Sequence, residues 1–548
     1  LGAQGGFRGL AASLDRWIRG LSSSRGLALL AALALAVWIL QSVAWPVVAG
    51  RDLGTYLRYY AQMWQWEAVF PQAMLGRTPG TPVVVGLALE AGPIAVELLM
   101  ASLFVASILS WTLATAAFDR RAAAVVAAIL LLYPGYGAVF HQLSSDALAA
   151  AGFALWSLAA VRFCLSPSAA RFAALGAALA ALVLVRPAYQ VVLAFALAPL
   201  VLGGPWRDRL VRSAAFLAAA AAPLGLWAAH NAVRYEDFTV ARGSGIVIPF
   251  ARAFTEERIV DPENGPASRR LAEAVERALL VEEPYRSYGI DLERFFSSGS
   301  PRMLEDVASL SDRVFGWDSE YTMLREAGIE AVRAHPGAYG KGVARTLWEL
   351  LRFPAYVVAP EASSAASESA SSGKGGGVDS ETIVVNGRVL PRPSEGELIP
   401  SSHQALWVST PDNRIREVWS SPTEHRLVFR DPADAGRAAR IEREMARLAA
   451  RLPDRAGNEA LGHRLNQAAY RFPPPALWLG VGLVAVAWRR PQGVRVALLL
   501  AGSGLLVLLV SALGLPAAAE YAMPVVPSFA LLVGVGLLGS GRGRLAAR

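Results

Sequence analysis

GLALLAALALAVWILQSVAWPVV, residues Gly26 to Val48, contains no charged side chain. As a helix it is long enough to cross a hydrocarbon core of about 30 Å, which takes roughly 20 residues. Arg8, Arg16, Arg19 and Arg25 precede it. Basic residues gather at the cytoplasmic ends of membrane spans, so the N-terminal side of this run is placed in the cytoplasm. The run lacks a small-residue cleavage site and is too long for a signal peptide, so it is read as a retained span.

Working outward, the sides alternate. Further apolar runs lie near 93–118, 122–140, 146–162, 172–185, 191–202 and 213–229, and again near 477–488, 496–513 and 522–538. The arginine-rich short loops (Arg120 and Arg121; Arg207, Arg209 and Arg212; Arg489, Arg490 and Arg495; Arg542, Arg544 and Arg548) then all fall on one side. Hydropathy alone does not force that agreement, which therefore supports the count independently. The expected architecture is an all-α polytopic membrane protein with about ten transmembrane helices and both termini cytoplasmic. A transmembrane module covers 1–231, with a first outer loop at 50–92; an extracytoplasmic domain covers 232–474; and a C-terminal transmembrane module covers 475–548.

Composition agrees. Of 548 residues 54% are hydrophobic and only 18% charged, and the charge is concentrated between the two groups of apolar runs. The formal charge of +8 does not indicate nucleic acid, because much of the arginine sits in short loops beside spans. Cys164 is the single cysteine, which excludes an intramolecular disulfide and a cysteine metal cluster. The outer domain must hold together by packing alone.

That domain reads as mostly helical, with helical periodicity over Ser268–Glu283, Met303–Phe315 and Tyr321–Ala334. Pro432–Leu452 reads as a charged helix, and Lys341–Val358 as a helix lying along a membrane surface. Ala362–Gly377 is rich in Ser, Ala and Gly, the composition of a flexible loop. In TIVVNGRVL, Thr382 to Leu390, Asn386-Gly387 sits between β-branched runs and predicts a small β-hairpin.

The residues suited to chemistry lie at the outer ends of spans. In RDLGTYLRYY, Arg51 to Tyr60, Asp52 follows the first span closely and is suited to act as a general base. It is equally suited to cap a helix running from Leu53 to Trp66. Arg186, in LVLVRPAY, stands at the hydrocarbon edge, where guanidinium can snorkel or hold a lipid phosphate. Arg58 is a further outer-face arginine, and Tyr56 lies on the same segment as Asp52. Asp146, in HQLSSD, opens a span as an N-cap or as a second site carboxylate, with His141 nearby. Glu520 and Tyr521 precede the last span, where the acid is placed to pair with Arg186 and the tyrosine to anchor the interface. The sequence holds no phosphate-binding glycine loop with lysine, no HExxH and no serine nucleophile elbow, which argues against soluble nucleotide-dependent chemistry.

In their order and sidedness these motifs resemble the GT-C superfamily of polytopic glycosyltransferases. The branch most similar holds the protein O-mannosyltransferases and the lipid A aminoarabinose transferase. Asp52 stands where that family has its first-loop acid, and Ser144-Ser145-Asp146 where a second acid opens a span. Leu184-Val185-Arg186-Pro187 looks like its Arg-Pro. The segment from His230 to Gly245 is similar to its exit from the seventh span, and EYAMPVVP, Glu520 to Pro527, to its last-span entry. The chain departs from the protein O-mannosyltransferases at Arg51, where many have a second acid. The resemblance implies a sugar moved from a polyprenyl-phosphate donor to a hydroxyl of a glycan, lipid or protein acceptor. Asp52 would be the base, Arg186 and Arg58 would hold the donor phosphate, and Asp146, His141, Tyr56, Glu520 and Tyr521 would face acceptor or sugar. Inversion is expected and no cofactor is required, although a divalent metal is compatible. The partners are then the donor, the acceptor and the bilayer, without nucleic acid. The alternative class is a lipid or sugar transporter or an envelope-assembly scaffold. A transporter is expected to show repeats or interrupted spans in matching halves, and the seven-plus-three arrangement shows no evident repeat.

Overall fold

A computed structural model describes residues 23–353 apart from 319, together with 382–393, 397–399, 410–421 and 424–539. The stretch 362–377 and the arginines at 8, 16, 19, 542, 544 and 548 lie outside them.

Each of the expected apolar runs is found as helix, though not all in the expected form. Ser24–Ala44, Pro93–Ala116, Ser145–Leu165, Trp206–Tyr235 and Val494–Gly514 are long and apolar enough to span alone. Arg120–Leu132 joins Pro134–His141 at a bend of 72°, as one broken span or a re-entrant loop. Proline cannot continue the ladder of hydrogen bonds, which puts the break at Pro134. The shorter apolar helices are Ala169–Val185, Pro187–Val201, Pro475–Arg489 and Pro527–Leu538. Gly80–Ala91 is a further one, within what reads as the first outer loop.

The helix Ser24–Ala44 shows why this is a membrane protein. It turns Leu30, Ala34 and Trp38 inward while leaving Leu29, Leu33, Ile39 and Leu40 exposed. A helix facing water on that side would carry polar residues there. Packing between spans relies on small residues, as expected where lipid removes the hydrophobic drive for association. A Cβ at Gly176 would lie 2.1 Å from the Phe216 carbonyl oxygen, so only glycine lets helices Ala169–Val185 and Trp206–Tyr235 approach so closely.

The segment expected as a span over 191–202 departs from an α-helix. It begins at Pro187 and is wound as 3₁₀ helix to Leu197. Its 11 residues of 3₁₀ helix and 4 of α-helix cover about 28 Å at their respective rises. Wound wholly as α-helix they would reach about 22 Å, short of the hydrocarbon thickness. The tighter winding brings the length of this short segment close to the hydrocarbon thickness.

Beyond the spans, helices Pro266–Ala278, Pro301–Val314 and Thr322–Ala334 enclose a core that includes Phe250, Phe254, Leu271, Phe295, Met303 and Leu324. The hairpin pairs Thr382–Val385 with Arg388–Pro391. Asn386 and Gly387 both take positive φ, 51° and 79°, as its tight turn requires. A second hairpin, Ile415–Trp419 with His425–Phe429, was not apparent in the sequence. The helix Pro432–Ala449 follows it and, through Ala438 and Ile441, packs with Ile415 against Val69 and Phe70 of the first loop. Helix Pro336–Arg352 turns Tyr339, Gly342, Thr346 and Leu350 inward and leaves Trp348 exposed.

Contacts at the opposite ends of the spans fix which loops share a face. Val48–Ala49 pairs in parallel with Gln142–Leu143, and Asn458 donates to the Val43 carbonyl oxygen at 2.8 Å. The first loop, the 142–146 turn and the 458 region therefore lie together. At the other end Gly493 lies against Phe118 and Leu165, and Arg495 donates to the Val201 carbonyl oxygen at 3.0 Å.

Candidate active site

The parallel pairing of Val48–Ala49 with Gln142–Leu143 brings two chain turns side by side at one end of the bundle. One leads into helix Leu53–Gln62, the other into helix Ser145–Leu165. Between them lies a recess lined by Arg51, Asp52, Tyr56, Gln142, Ser144, Ser145, Asp146, Arg186 and Glu520. Its volume is about 30 Å³.

Asp52 occupies the N-cap position of its helix, yet its side chain makes no capping hydrogen bond. The carboxylate faces Arg77 instead, at 3.3 Å. Burial alone would raise this carboxyl, but Arg77, Arg51 and Arg186 outweigh it and hold it below the ordinary carboxylate value. Tyr56 follows by one helical turn, on the same face, and its hydroxyl bonds Ser145. The cap of the neighbouring helix is Ser144, whose hydroxyl accepts from the Asp146 amide at 3.2 Å. Asp146, one of the two capping candidates in sequence, is thereby left free to form an ion pair with Arg186. Their side chains are 13% and 15% exposed, so breaking the pair would leave a largely buried charge.

Glu520 does not pair with Arg186, as its position before the last span suggests. It meets Arg51 at 2.7 Å, and Arg51 also donates to the Tyr521 hydroxyl at 3.1 Å. The ring of Tyr521 lies under the Arg186 guanidinium, 5.5 Å to its centroid. Each carboxylate of the recess is thus matched with its own arginine: Asp52 with Arg77, Asp146 with Arg186, and Glu520 with Arg51.

Two expected residues stand elsewhere. Arg58 lies over the Phe70 ring at 5.1 Å and does not line the recess. Six positions beyond Asp52 on a helix, it is rotated onto another face. His141 is fully buried and stacked on Trp38, with centroids 5.3 Å apart; it packs the corner of the bent pair. Arg77, which faces Asp52, is the residue of this cluster that the sequence reading missed. It sits in a Gly-Arg-Thr-Pro-Gly turn whose composition signals only a loop.

An arginine outside the recess anchors the first loop to the helical lobe beyond the spans. The Arg242 side chain is fully buried and pairs with Asp312 at 2.5 Å and Asp237 at 3.3 Å. It donates to Gln72 at 2.8 Å and to Tyr321 at 2.7 Å, and its guanidinium lies 3.7 Å from the Trp317 ring centroid. Among the described residues, no three His, Cys, Asp or Glu side chains gather as a metal site.

No protein-family model matches the chain, and no curated protein matches it. Solved structures similar to it include two crystal structures of ArnT from Cupriavidus metallidurans. The apo state is 15% identical with a TM-score of 0.31, covering 94% of this chain and 78% of that one. The state bound to undecaprenyl phosphate is 16% identical, with the same TM-score of 0.31 and the same coverage of 94% and 78%. Likeness of that extent leaves function to be argued from this chain's own residues.

Proposed function

We propose that this protein is an inverting GT-C-type glycosyltransferase, moving a sugar from a polyprenyl-phosphate donor to an acceptor hydroxyl at the outer face of the cytoplasmic membrane. The observation that carries this reading is Asp52. Its carboxylate stands at the end of an apolar span, makes no capping bond, and shares a recess with Arg186. A base beside a cation at lipid-headgroup depth is what transfer from a lipid phosphate requires.

In the reaction, the acceptor hydroxyl oxygen attacks the anomeric carbon and its proton passes to Asp52. The bond from that carbon to the phosphate oxygen breaks on the opposite face, so the configuration inverts. The lipid phosphate leaves with the electron pair, and its charge is met by Arg186 and Arg77. A phosphate arriving between them would draw Arg77 away from Asp52 and so strengthen the base when it is needed. The leaving group is anionic from the start and needs no metal in principle. Nor does the recess suit a divalent cation, since an arginine already faces each of its carboxylates. The orientation proposed puts both termini in the cytoplasm, with the segment 232–474 outside, covering the recess and selecting a glycan, lipid or protein acceptor.

The test is transfer by the purified full chain from defined polyprenyl-phosphate sugars, with and without a chelator. Release of polyprenyl phosphate coupled to acceptor glycosylation, unaffected by the chelator, is the expected result. Movement of an intact lipid-linked sugar across vesicles without cleavage would replace this reading with transport.

A further inference from the structure

A second cavity lies away from Asp52, at the other end of the 3₁₀ segment. It measures about 690 Å³ and opens between that segment and helix Val494–Gly514. Its apolar walls include Val192, Phe195, Leu498, Leu499 and Leu506, and Arg209 and Arg495 are among the lining residues.

Both arginines are held in place by the backbone beside them. Arg209 donates from Nε to the Gly204 carbonyl oxygen at 2.9 Å and from Nη1 to that of Leu200 at 3.1 Å. Arg495 donates from Nη1 to the Val201 carbonyl oxygen at 3.0 Å. The carbonyls that end the returning segment therefore fix both guanidiniums. The Nη2 groups of both arginines and Nε of Arg495 have no partner among the described residues. Neither arginine has a carboxylate partner among those residues, in contrast to those of the recess around Asp52.

We propose that this groove binds an acidic phospholipid, with its phosphate on Arg209 and Arg495 and an acyl chain along Phe195 and Leu498. Basic pockets between spans at the arginine-rich face of a membrane protein suit anionic headgroups. Apolar walls exclude free phosphate as the preferred occupant, because it would gain nothing from them. The tail of a polyprenyl donor would leave both cations unmatched. Its phosphate would sit near Arg186, about 28 Å away along the 3₁₀ segment. The groove is thus independent of the transferase reading.

The experiment uses the full chain, delipidated in mild detergent and titrated with phosphatidylglycerol, phosphatidylcholine or inorganic phosphate under native mass spectrometry. Phosphatidylglycerol is expected to be retained over phosphatidylcholine. In the double variant Arg209→Gln and Arg495→Gln, retention should fall about tenfold or more. Gly502 also lines the groove, and a Cβ built on it meets no atom within 4 Å. Gly502→Leu would therefore fill the groove without disturbing either arginine, and should give the same loss in a protein that folds normally. Unchanged retention in Gly502→Leu would overturn the proposal. So would equal binding of the two lipids, or inorganic phosphate competing as well as phosphatidylglycerol does.

Discussion

Asp52 carries the most weight of any single residue, and two substitutions test it in different ways. Asp52→Asn keeps the shape and the arginine contacts but cannot accept a proton, so transfer should fall by about two or more orders of magnitude. Equal turnover by the two purified proteins would remove Asp52 from the chemistry. Arg77→Gln tests what holds the carboxylate down. A base must be ionised to work, and a depressed carboxyl stays ionised until the pH falls below its ordinary value. The wild-type rate should therefore hold above that value and fall only when the pH drops through the lowered value. Removing Arg77 takes away one of the charges that oppose burial, so the acid limb of kcat/KM should move to higher pH. If Arg77 served only to brace the loop, the plateau would drop while the limb stayed in place. Much of this recess was legible because Asp52, Asp146, Arg186, Glu520 and Tyr521 all adjoin span ends, where a charge is conspicuous against an apolar background. Arg77 was not, since a charged residue in a Gly-Pro turn is unremarkable there. Which acid pairs with which arginine was equally hidden, because pairing depends on depth and rotation around a bundle that no local pattern encodes.

At the level of elements, legibility followed the periodicity that each element needs. Helices with one apolar face, such as Pro301–Val314 and Thr322–Ala334, were readable to within a few residues. The first hairpin was readable because positive φ at two successive residues demands Asn-Gly chemistry. The second lacks that signature: its strands are joined around Ser420 and Glu424, and IREVW and HRLVF do not alternate apolar with polar residues. The 3₁₀ winding of Pro187–Leu197 was invisible for another reason, since its apolar composition suits either helix and only the distance to be covered decides. Arg242 also acts between elements, tying the loop carrying Gln72 to the helix carrying Asp312. Arg242→Ala would strand two buried carboxylates, a change that costs about 3–5 kcal/mol when a buried pair loses one partner. Chemical unfolding followed by tryptophan emission suits the measurement, because Trp317 lies directly under the guanidinium. A loss under about 1 kcal/mol would mean that water reaches Asp237 and Asp312.

For the whole molecule, the contacts establish that the arginine-rich loops share one face and that the recess lies at the other. The proposed orientation puts the first of these faces in the cytoplasm, on the strength of its excess of arginine. Orientation decides function here, since a base on the wrong side would never meet a donor presented outside. Cys164 is the only cysteine and is buried, so single introduced cysteines can report sidedness against a quiet background. Val389 and Val281 are exposed on the lobe beyond the spans, 66% and 54%; Arg121, Arg207 and Arg489 are exposed at helix ends on the arginine-rich face. In intact cells a membrane-impermeant maleimide should label Val389→Cys and Val281→Cys. Arg121→Cys, Arg207→Cys and Arg489→Cys should react only after the membrane is opened. The reverse pattern would invert the molecule, bury Asp52 on the cytoplasmic side and remove transfer at the outer face. A mixed pattern among the three arginine positions would go further, because it would contradict the shared face itself. That outcome would require the 3₁₀ segment Pro187–Val201 not to cross the membrane, which is the assumption on which its length of about 28 Å was matched to the hydrocarbon core.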